Sequence, residues 1–237
     1  MQPKWAVVTG GARNIGQAIG QRLLADGFKV ISLDILQPED PALQADAIQV
    51  DLSDRLAAEA VFADIAARHP VVALVNNVGI VRPALFEDIR LDDFETVLNL
   101  NTRTALIAAK ALVPRMRQLG GGRVVMNPSR VTLGREARSL YSASKGALQA
   151  MARTWALELA VDQITVNCVA PGPIATSVFW QNNPPDAAYT RALMSSIPLQ
   201  RMGTPQDFAN AVSFFCDERT GFVTRQTLFL CGGVTVG

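Results

Sequence analysis

Apolar segments alternate with helical patterns along most of the chain. Residues 4–9 (KWAVVT) form a short apolar run that ends in two glycines, and residues 14–26 space their apolar side chains at helical intervals. Gly27 is a helix stop, and residues 29–34 (KVISLD) form a second strand that ends in an acid. The first 34 residues therefore predict a strand, a glycine turn, a helix and a second strand.

The same alternation continues to residue 231. The pattern predicts further strands near 47–50, 71–76, 123–127, 164–170 and 227–231, and helices at 54–68, about 91–116, about 140–160 and near 205–217. Strands that are apolar throughout and separated by helices are parallel and buried on both faces. We therefore expect an α/β fold with a doubly wound, Rossmann-like parallel sheet of about seven strands and helices on both faces.

One stretch breaks both periodicities. Residues 178–189 (VFWQNNPPDAAY) contain two prolines and two asparagines, and loops of this length are typical of lids or disordered segments. We expect residues 178–197 to form a substrate lid, whose Phe179, Trp180 and Leu193 either contact substrate or pack within the lid. No repeat or charged linker marks a second domain, so we expect one domain over residues 1–237.

Composition excludes several classes of protein. The 237 residues are 49% hydrophobic with a net charge of +1, which is typical of a globular protein and gives no global signal for nucleic acid or anionic lipid. No apolar run approaches the ~20 residues of a membrane helix, and the start MQPKWAVVTG has no signal-peptide pattern. These features predict a cytoplasmic protein with a small-molecule substrate and neither nucleic acid nor membrane as a partner.

Cysteine and histidine usage argues against metal chemistry. Cys168, Cys216 and Cys231 are widely spaced and form no C-x-x-C, so we expect reduced, buried thiols and no metal site. His69 is the only histidine, which makes a zinc-dependent dehydrogenase or a Ser-His hydrolase improbable. It precedes the strand at 71–76, at the opposite edge of the sheet from the glycine turn, and receives no role.

The segment TGGARNIG (9–16) lies between the first strand and the first helix. Its glycines allow the backbone to approach a pyrophosphate, and the helix amino terminus supplies N–H donors. The spacing is not G-x-G-x-x-G, so a tight turn without a ligand is the alternative. Asp34, 18 residues after Gly16, ends the second strand, where a carboxylate can accept ribose hydroxyls or act as a turn residue.

Tyr141 and Lys145 are four residues apart at the start of a predicted helix. Their side chains therefore share one face and can contact a common ligand. The alternative is an ordinary surface pair. A nearby ammonium and a positively charged nicotinamide would favour the phenolate of Tyr141. Ser129, just after the strand at 123–127, is placed to donate a hydrogen bond to a carbonyl oxygen.

Taken together, these motifs resemble the short-chain dehydrogenases/reductases, in their single-domain branch of roughly 250 residues. The resemblance covers essentially the whole chain. It rests on the ordered set TGGARNIG (9–16), NNVG (76–79), Asn101, Ser129, YSASK (141–145), PGPIAT (171–176), IPLQRMGTPQDFANAV (197–212) and CGGVTVG (231–237).

The resemblance implies a catalytic tetrad. Tyr141 would be the general acid/base, Lys145 would lower its pKa and bind the nicotinamide ribose, Ser129 would polarise the substrate oxygen, and Asn101 would hold a water that links Lys145 to solvent. The resemblance also implies cofactor contacts at Gly10, Arg13, Asn14, Ile15, Gly16, Asp34, Ile35, Asp51, Leu52, Asn77, Val78, Gly79, Tyr141, Lys145, Pro171, Gly172, Ile174 and Thr176. Of these, residues 77–79 would lie near the adenosine ribose, and the last four would flank the nicotinamide.

Two residues bear on the choice between NAD and NADP. Asp34 would repel a 2′-phosphate, whereas Arg13 lies where similar proteins use a basic residue to bind one. Like charges in a desolvated site cost several kcal/mol, and Ile35 offers no compensating charge. The sequence therefore predicts NAD as the cofactor, with NADP less favoured.

The chain departs from the family pattern in three places. Asn14 replaces a glycine, which is tolerable because Asn enters left-handed conformations readily. Asn127 and Pro128 replace small residues before Ser129 and make the reach of its hydroxyl less certain. Arg225 and Cys231 replace a glycine and an acid in a tail that lies at subunit contacts in similar proteins, so a homo-oligomer, a tetramer or a dimer, is expected by analogy alone.

The predicted function is NAD-dependent interconversion of a secondary alcohol and a ketone by hydride transfer. Two alternatives remain: an NADPH-dependent 3-oxoacyl thioester reductase, which Arg13 favours and Asp34 opposes, and a catalytically silent dinucleotide-binding scaffold. Arg130, Arg135 and Arg138 form a cluster that either binds an anionic group of the substrate or is an ordinary solvated loop.

Overall fold

A seven-stranded sheet forms the centre of the computed structural model, which describes residues 3–235. The strands are β1 (Trp5–Thr9), β2 (Lys29–Asp34), β3 (Ala47–Gln49), β4 (Val71–Asn76), β5 (Gly122–Met126), β6 (Ile164–Pro171) and β7 (Thr227–Leu230). They lie in the order β3-β2-β1-β4-β5-β6-β7, and every neighbouring pair is parallel. The predicted parallel sheet is confirmed.

Helices cover both faces of this sheet. They are α1 (Asn14–Ala25), α2 (Pro41–Gln44), α3 (Arg55–Arg68), α4 (Leu91–Leu98), α5 (Thr104–Gln118), α6 (Ser139–Glu158), α7 (Ser177–Asn182), α8 (Ala188–Ser195) and α9 (Pro205–Cys216). α1 and α9 pack on one face, and α3, α5 and α6 pack on the other. The doubly wound arrangement is confirmed as well.

The strand β1 shows why the strands read as continuous apolar runs. Val7 faces the layer that contains Phe62 of α3, and Val8 faces the layer that contains Ile19 of α1 and Phe208 of α9. All five side chains are fully buried. Because successive side chains of a strand point to opposite faces, a strand covered on both faces is apolar at every position.

The helix predicted at about 91–116 is interrupted. A single π-helical turn (Asn99–Arg103) separates α4 from α5, which continues to Gln118. The turn contains Asn101, whose buried side chain forms hydrogen bonds with the backbone of Ile80. The spacing of apolar residues does not predict such a turn, because the turn is associated with a contact between Asn101 and another segment of the chain.

The stretch predicted to be irregular contains two short helices. Thr176 caps α7 by accepting a hydrogen bond from the Phe179 N–H at 3.1 Å, and the two prolines lie between α7 and α8. The expectation of an irregular segment over 178–189 was therefore wrong at 178–182 and 188–189, which are helical. The four-residue α2 was also not predicted, and the other predicted boundaries agree within two residues.

His69, which received no role, lies away from the carboxyl ends of the strands. The ring of His69 lies 4.2 Å from that of Trp5, at the amino end of the sheet. The three cysteines are free and buried, as predicted. Between residues 3 and 235, the helices are all too short or too polar to span a membrane.

Candidate active site

A cleft of about 730 Å³ opens at the carboxyl ends of the strands. Segments that follow the strands from β1 to β6 contribute to its wall, and the start of α6 contributes Tyr141 and Lys145. The order of the strands reverses at this point, because β1 lies between β2 and β4. Ligands of open α/β sheets bind in such crevices.

The glycine turn after β1 forms the floor at one end of the cleft. Gly10 has a φ of +65°, and its N–H donates to the carbonyl of Leu33 at 2.7 Å. A Cβ on Gly16 would lie 1.8 Å from the carbonyl oxygen of Gly10. Only glycine at position 16 allows α1 to start this close to the turn. The first residues of α1 line the cleft, and the start of a helix beside a glycine turn fits a pyrophosphate.

Asn14, in the same turn, adopts a left-handed backbone conformation with a φ of +50°. The expectation that asparagine can replace the usual glycine at this position is confirmed. The side chain has a second contact, because its Oδ1 accepts hydrogen bonds from the N–H and the hydroxyl of Ser177 at 2.9 and 3.0 Å.

Asp34 lies at the end of β2 with its carboxylate held by the backbone. Its two oxygens accept hydrogen bonds from the N–H groups of Ala12 and Leu36 at 3.1 and 3.2 Å. Arg13 is exposed, and its guanidinium lies 4.0 Å from the carboxylate of Glu39. The carboxylate of Asp34 is therefore bound by main-chain N–H groups, and the carboxylate partner of Arg13 is Glu39.

The loop after β4 is tied to the glycine turn. The Asn77 amide donates to the carbonyls of Thr9 and Gly10, both at 3.0 Å, and the N–H of Val78 donates to the Thr9 hydroxyl. The Asn127 amide in turn donates to Asn77 Oδ1 at 2.9 Å. These bonds join the segments that follow β1, β4 and β5 into one rigid wall.

Tyr141, Lys145 and Ser129 converge at the other end of the cleft. Lys145 is almost fully buried, and its ammonium donates to the backbone carbonyl of Asn127 at 2.7 Å and lies 5.6 Å from the ring centroid of Tyr141. The Ser129 hydroxyl accepts from the Val131 N–H at 3.3 Å and lies close enough to Tyr141 to lower the pKa of its phenol. Pro128 therefore does not prevent Ser129 from reaching the tyrosine.

Burial dominates the titration of this group. Burial raises the pKa of Tyr141 to about 12, although the hydrogen bond from Ser129 and the charge of Arg138 act in the opposite direction. Burial also lowers the pKa of Lys145 to about 8. The sequence argument expected a lowered tyrosine pKa, but removal from water outweighs the neighbouring charges, and Tyr141 is a neutral phenol at pH 7.

Asn101 lies behind this end of the cleft. Its Oδ1 accepts from the Ile80 N–H at 2.8 Å, and its amide donates to the Ile80 carbonyl and the Ser144 hydroxyl, both at 3.0 Å. The side chain thus braces the loop after β4 against α6. Its predicted role as the holder of a water stays a prediction.

The predicted site residues fall into two groups. Those in the wall of the cleft are Gly10, Arg13, Asn14, Ile15, Gly16, Asp34, Ile35, Asp51, Leu52, Asn77, Val78, Gly79, Tyr141, Lys145 and Thr176. Those that lie outside it are Asn101, Ser129, Pro171, Gly172 and Ile174. Gly172 packs against Cys231, and Ile174 is buried and paired with Gly203, so both support the loop that leads to Thr176.

Sequence reasoning missed other residues of the wall. They are Leu36, Val50, Ser53, Ile80, Arg82, Thr96, Leu100, Asn127 and Val178. Leu36, Val50, Ser53 and Ile80 directly neighbour a predicted residue, so the position after a strand was the available signal. Thr96 in α4 and Leu100 in the π-helical turn reach the cleft through tertiary packing, which leaves no local signal.

The arginine cluster borders the same end of the cleft. Arg135 donates to the hydroxyl of Tyr189 in α8, and Arg138 donates to the carbonyl of Ala137 at 2.9 Å. Across residues 3–235, Arg130, Arg135 and Arg138 form no salt bridge. Of these three charges without a carboxylate partner, that of Arg138 is close enough to Tyr141 to act on its pKa.

The reversed strand order, the glycine turn and the Tyr–Lys pair define a dinucleotide-dependent oxidoreductase. A family model described as enoyl-(acyl carrier protein) reductase matches residues 10–235. The chain belongs to the short-chain dehydrogenase/reductase family and is an NAD(P)-dependent enzyme that interconverts alcohols and ketones, as the sequence predicted.

Individual relatives resemble the chain over nearly its whole length. It is 34% identical to the 3-oxoacyl-[acyl-carrier-protein] reductase FabG of Aggregatibacter actinomycetemcomitans, over 96% of this chain and 98% of that one. It is 32% identical to the glucose 1-dehydrogenase of Gluconobacter oxydans, over 98% and 92%. A blue fluorescent protein from a metagenomic library, solved in complex with NADPH, shares 33% identity and a TM-score of 0.87 over 98% of both chains.

Proposed function

We propose that the protein transfers a hydride between a nicotinamide dinucleotide and a secondary alcohol or ketone, with Tyr141 as the general acid/base. One observation supports this most directly: Tyr141 and Lys145 line a cleft that the glycine turn also lines, and Ser129 lies next to Tyr141 just behind its wall.

Each residue has a distinct task in this proposal. The bound dinucleotide supplies or accepts the hydride. The Tyr141 phenol donates its proton to the carbonyl oxygen in reduction and receives it in oxidation, and the Ser129 hydroxyl donates a hydrogen bond to the same oxygen. The Lys145 ammonium binds ribose hydroxyls and stabilises the phenolate, and Asn101 braces the loop that faces it.

Replacing Tyr141 with Phe tests the mechanism. The change removes the proton donor and keeps the ring, so turnover should fall by about 10³-fold while the dissociation constant for the dinucleotide stays within about twofold. Single-turnover rates and a binding titration measure the two quantities. Turnover close to that of the unaltered protein would refute the role of Tyr141.

We further propose a preference for NAD(H) over NADP(H). The carboxylate of Asp34 is fixed by two backbone N–H groups, and Glu39 adds a second negative charge beside Arg13. A 2′-phosphate at this position would meet both carboxylates. The relative that was solved with NADPH makes NADP(H) the rival cofactor.

A titration with NADH and with NADPH decides between the two. Energy transfer from Trp5, Trp155 and Trp180 to the reduced nicotinamide reports binding. We expect NADH to bind at least about tenfold more tightly, which corresponds to ~1.4 kcal/mol. Tighter binding of NADPH would overturn the preference and promote Arg13 to the phosphate-binding residue.

A second candidate function is reduction of a 3-oxoacyl thioester with NADPH. The 34% identical relative from A. actinomycetemcomitans carries that activity in its name, and the three unpaired arginines would suit an anionic carrier. Acetoacetyl-CoA with NADPH, compared with a panel of secondary alcohols with NAD, separates the candidates. Faster turnover of the thioester would favour the second function.

We also propose that the protein is a cytoplasmic homo-oligomer, a tetramer or a dimer. Support comes from large apolar side chains that are exposed on α4 and α5 (Leu91, Phe94 and Leu106) and next to the edge strand β7 (Phe222). Light scattering coupled to size-exclusion chromatography measures the mass. A particle of 25.5 kDa would contradict the proposal.

A further inference from the structure

One side chain joins the glycine turn to the segment 177–197, which is the predicted lid extended by one residue to the start of α7 and is called the lid below. Asn14 Oδ1 accepts two hydrogen bonds from Ser177, from its N–H at 2.9 Å and from its hydroxyl at 3.0 Å. Ser177 is the first residue of α7 and therefore the first residue of the lid.

The backbone conformation of Asn14 does not by itself require asparagine at this position. Its φ of +50° is a conformation that glycine adopts without strain, so glycine would serve the turn equally well. Glycine has no side-chain acceptor. Asparagine satisfies the turn and also supplies a carbonyl oxygen that reaches the lid, so the side chain has a function that the backbone does not require.

The contact completes the start of α7. The first N–H groups of a helix have no partner within it. The hydroxyl and the carbonyl of Thr176 accept from the N–H groups of Phe179 and Trp180, at 3.1 Å each, and Asn14 accepts from that of Ser177. Both Asn14 and Thr176 also line the cleft.

We propose that Asn14 is a positioning residue that docks the lid on the glycine turn before a dinucleotide binds. The first helix of the lid is then ordered in the empty protein, and binding does not bear the entropic cost of ordering it. That the lid covers substrate rests on the proposed function. The docking itself is a property of the empty chain and is tested without any turnover.

Two variants of Asn14 separate the side-chain acceptor from the backbone. Asn14→Gly keeps the turn and removes the acceptor, whereas Asn14→Asp keeps both, because aspartate also accepts hydrogen bonds and tolerates a positive φ. Hydrogen exchange in the absence of any dinucleotide is followed at the amides of residues 179–182. We expect exchange roughly tenfold faster in Asn14→Gly and unchanged in Asn14→Asp.

Ser177→Pro breaks the same contact from the other side. It removes both donors to Asn14, while proline is well tolerated at the first position of a helix, and Thr176 already has an extended backbone with a ψ of 161°. Faster exchange in this variant excludes added flexibility of glycine as the cause. Ser195→Ala, which removes a hydroxyl contact to Arg191 within α8, is the matched control and should leave residues 179–182 unchanged.

Kinetics supply a readout that simple destabilisation would not give. Asn14→Gly and Ser177→Pro should raise the KM for substrate several-fold with a smaller change in kcat, and the double variant should be no worse than either single variant. Exchange at residues 179–182 that is equal in the unaltered protein, Asn14→Gly and Ser177→Pro would overturn the proposal. Because exchange is measured on empty protein, that failure is distinct from a failure of the proposed function.

Discussion

The two ends of the cleft differ in the groups that surround a ligand, which are main-chain groups at one end and side chains at the other. At the glycine turn the surroundings are backbone: Gly10 and Gly16 approach each other closely, and Asp34 is held by main-chain N–H groups. At the other end the surroundings are buried side chains, where Lys145 and Tyr141 have shifted pKa values. The first end is suited to holding a fixed shape and charge, and the second to moving a proton.

This difference separates the effects that substitutions should have. A side chain added at the glycine turn collides with backbone, which cannot move aside, so ligand binding and the fold are affected together. A change in the buried group alters which atoms carry protons, so rate and pH dependence are affected while binding remains. Four predictions test this division, from the largest expected effect to the smallest.

Gly16→Ala should abolish tight dinucleotide binding. The added Cβ would lie 1.8 Å from the Gly10 carbonyl oxygen, so the turn must open. We expect the dissociation constant for NADH to rise by at least about 100-fold, with a lower Tm. Gly146→Ala in α6 is the control, because its Cβ would meet no atom within 4 Å. Binding of NADH by Gly16→Ala at the original affinity would show that the turn does not hold the cofactor.

Asp34→Asn should shift cofactor choice toward NADPH. The amide keeps an acceptor for the N–H of Ala12 or Leu36 and removes the negative charge. The ratio of the NADPH and NADH dissociation constants should fall by about tenfold. Arg13→Ala, at the same end of the cleft, should move the ratio in the opposite direction. If neither variant changes the ratio, cofactor choice lies elsewhere.

The rate of ketone reduction should fall as the pH rises through about 8. Burial lowers the pKa of Lys145 to about 8, so its ammonium is charged below this pH and neutral above it. Tyr141, with a pKa of about 12, remains protonated across this range and does not cause the fall. A profile of kcat/KM from pH 6 to 10 measures the effect, and Lys145→Arg should move the falling limb to higher pH. A flat profile would count against this assignment.

Arg138→Ala should weaken the binding of anionic substrates. Its guanidinium lies beside the catalytic end and, within residues 3–235, pairs with no carboxylate. The KM for a substrate with a carboxylate or phosphate should rise several-fold, whereas kcat and the KM for a neutral alcohol should change little. An unchanged KM for the anionic substrate would dispose of this role.

Local patterns predicted the parts of the molecule that local chemistry determines. Apolar runs predicted the strands, and the segments that follow them predicted the glycine turn, Asp34 and the Tyr141–Lys145 pair, all of which lie at the cleft. The left-handed backbone of Asn14 could also be predicted from the sequence, because asparagine is one of the few residue types that adopt this conformation readily.

Contacts between segments that are distant in the sequence could not be predicted from local patterns. The π-helical turn follows from a bond between Asn101 and Ile80, and the start of α7 depends on Asn14, 163 positions earlier. The pKa of Tyr141 was expected to fall because neighbouring charges are visible in a sequence, whereas the burial that raises it is not. The short lid helices follow from caps and from packing, which periodicity does not report.

The two layers around the sheet each contain a cysteine. Cys168 of β6 lies in the layer with α3, α5 and α6, and Cys216 of α9 lies in the opposite layer. Burial raises the pKa of both thiols to about 12, so neither reacts with an alkylating reagent while its layer is closed. The labelling rates of the two thiols, followed by mass spectrometry, therefore record the opening of each face separately, and the protein carries its own pair of unfolding reporters.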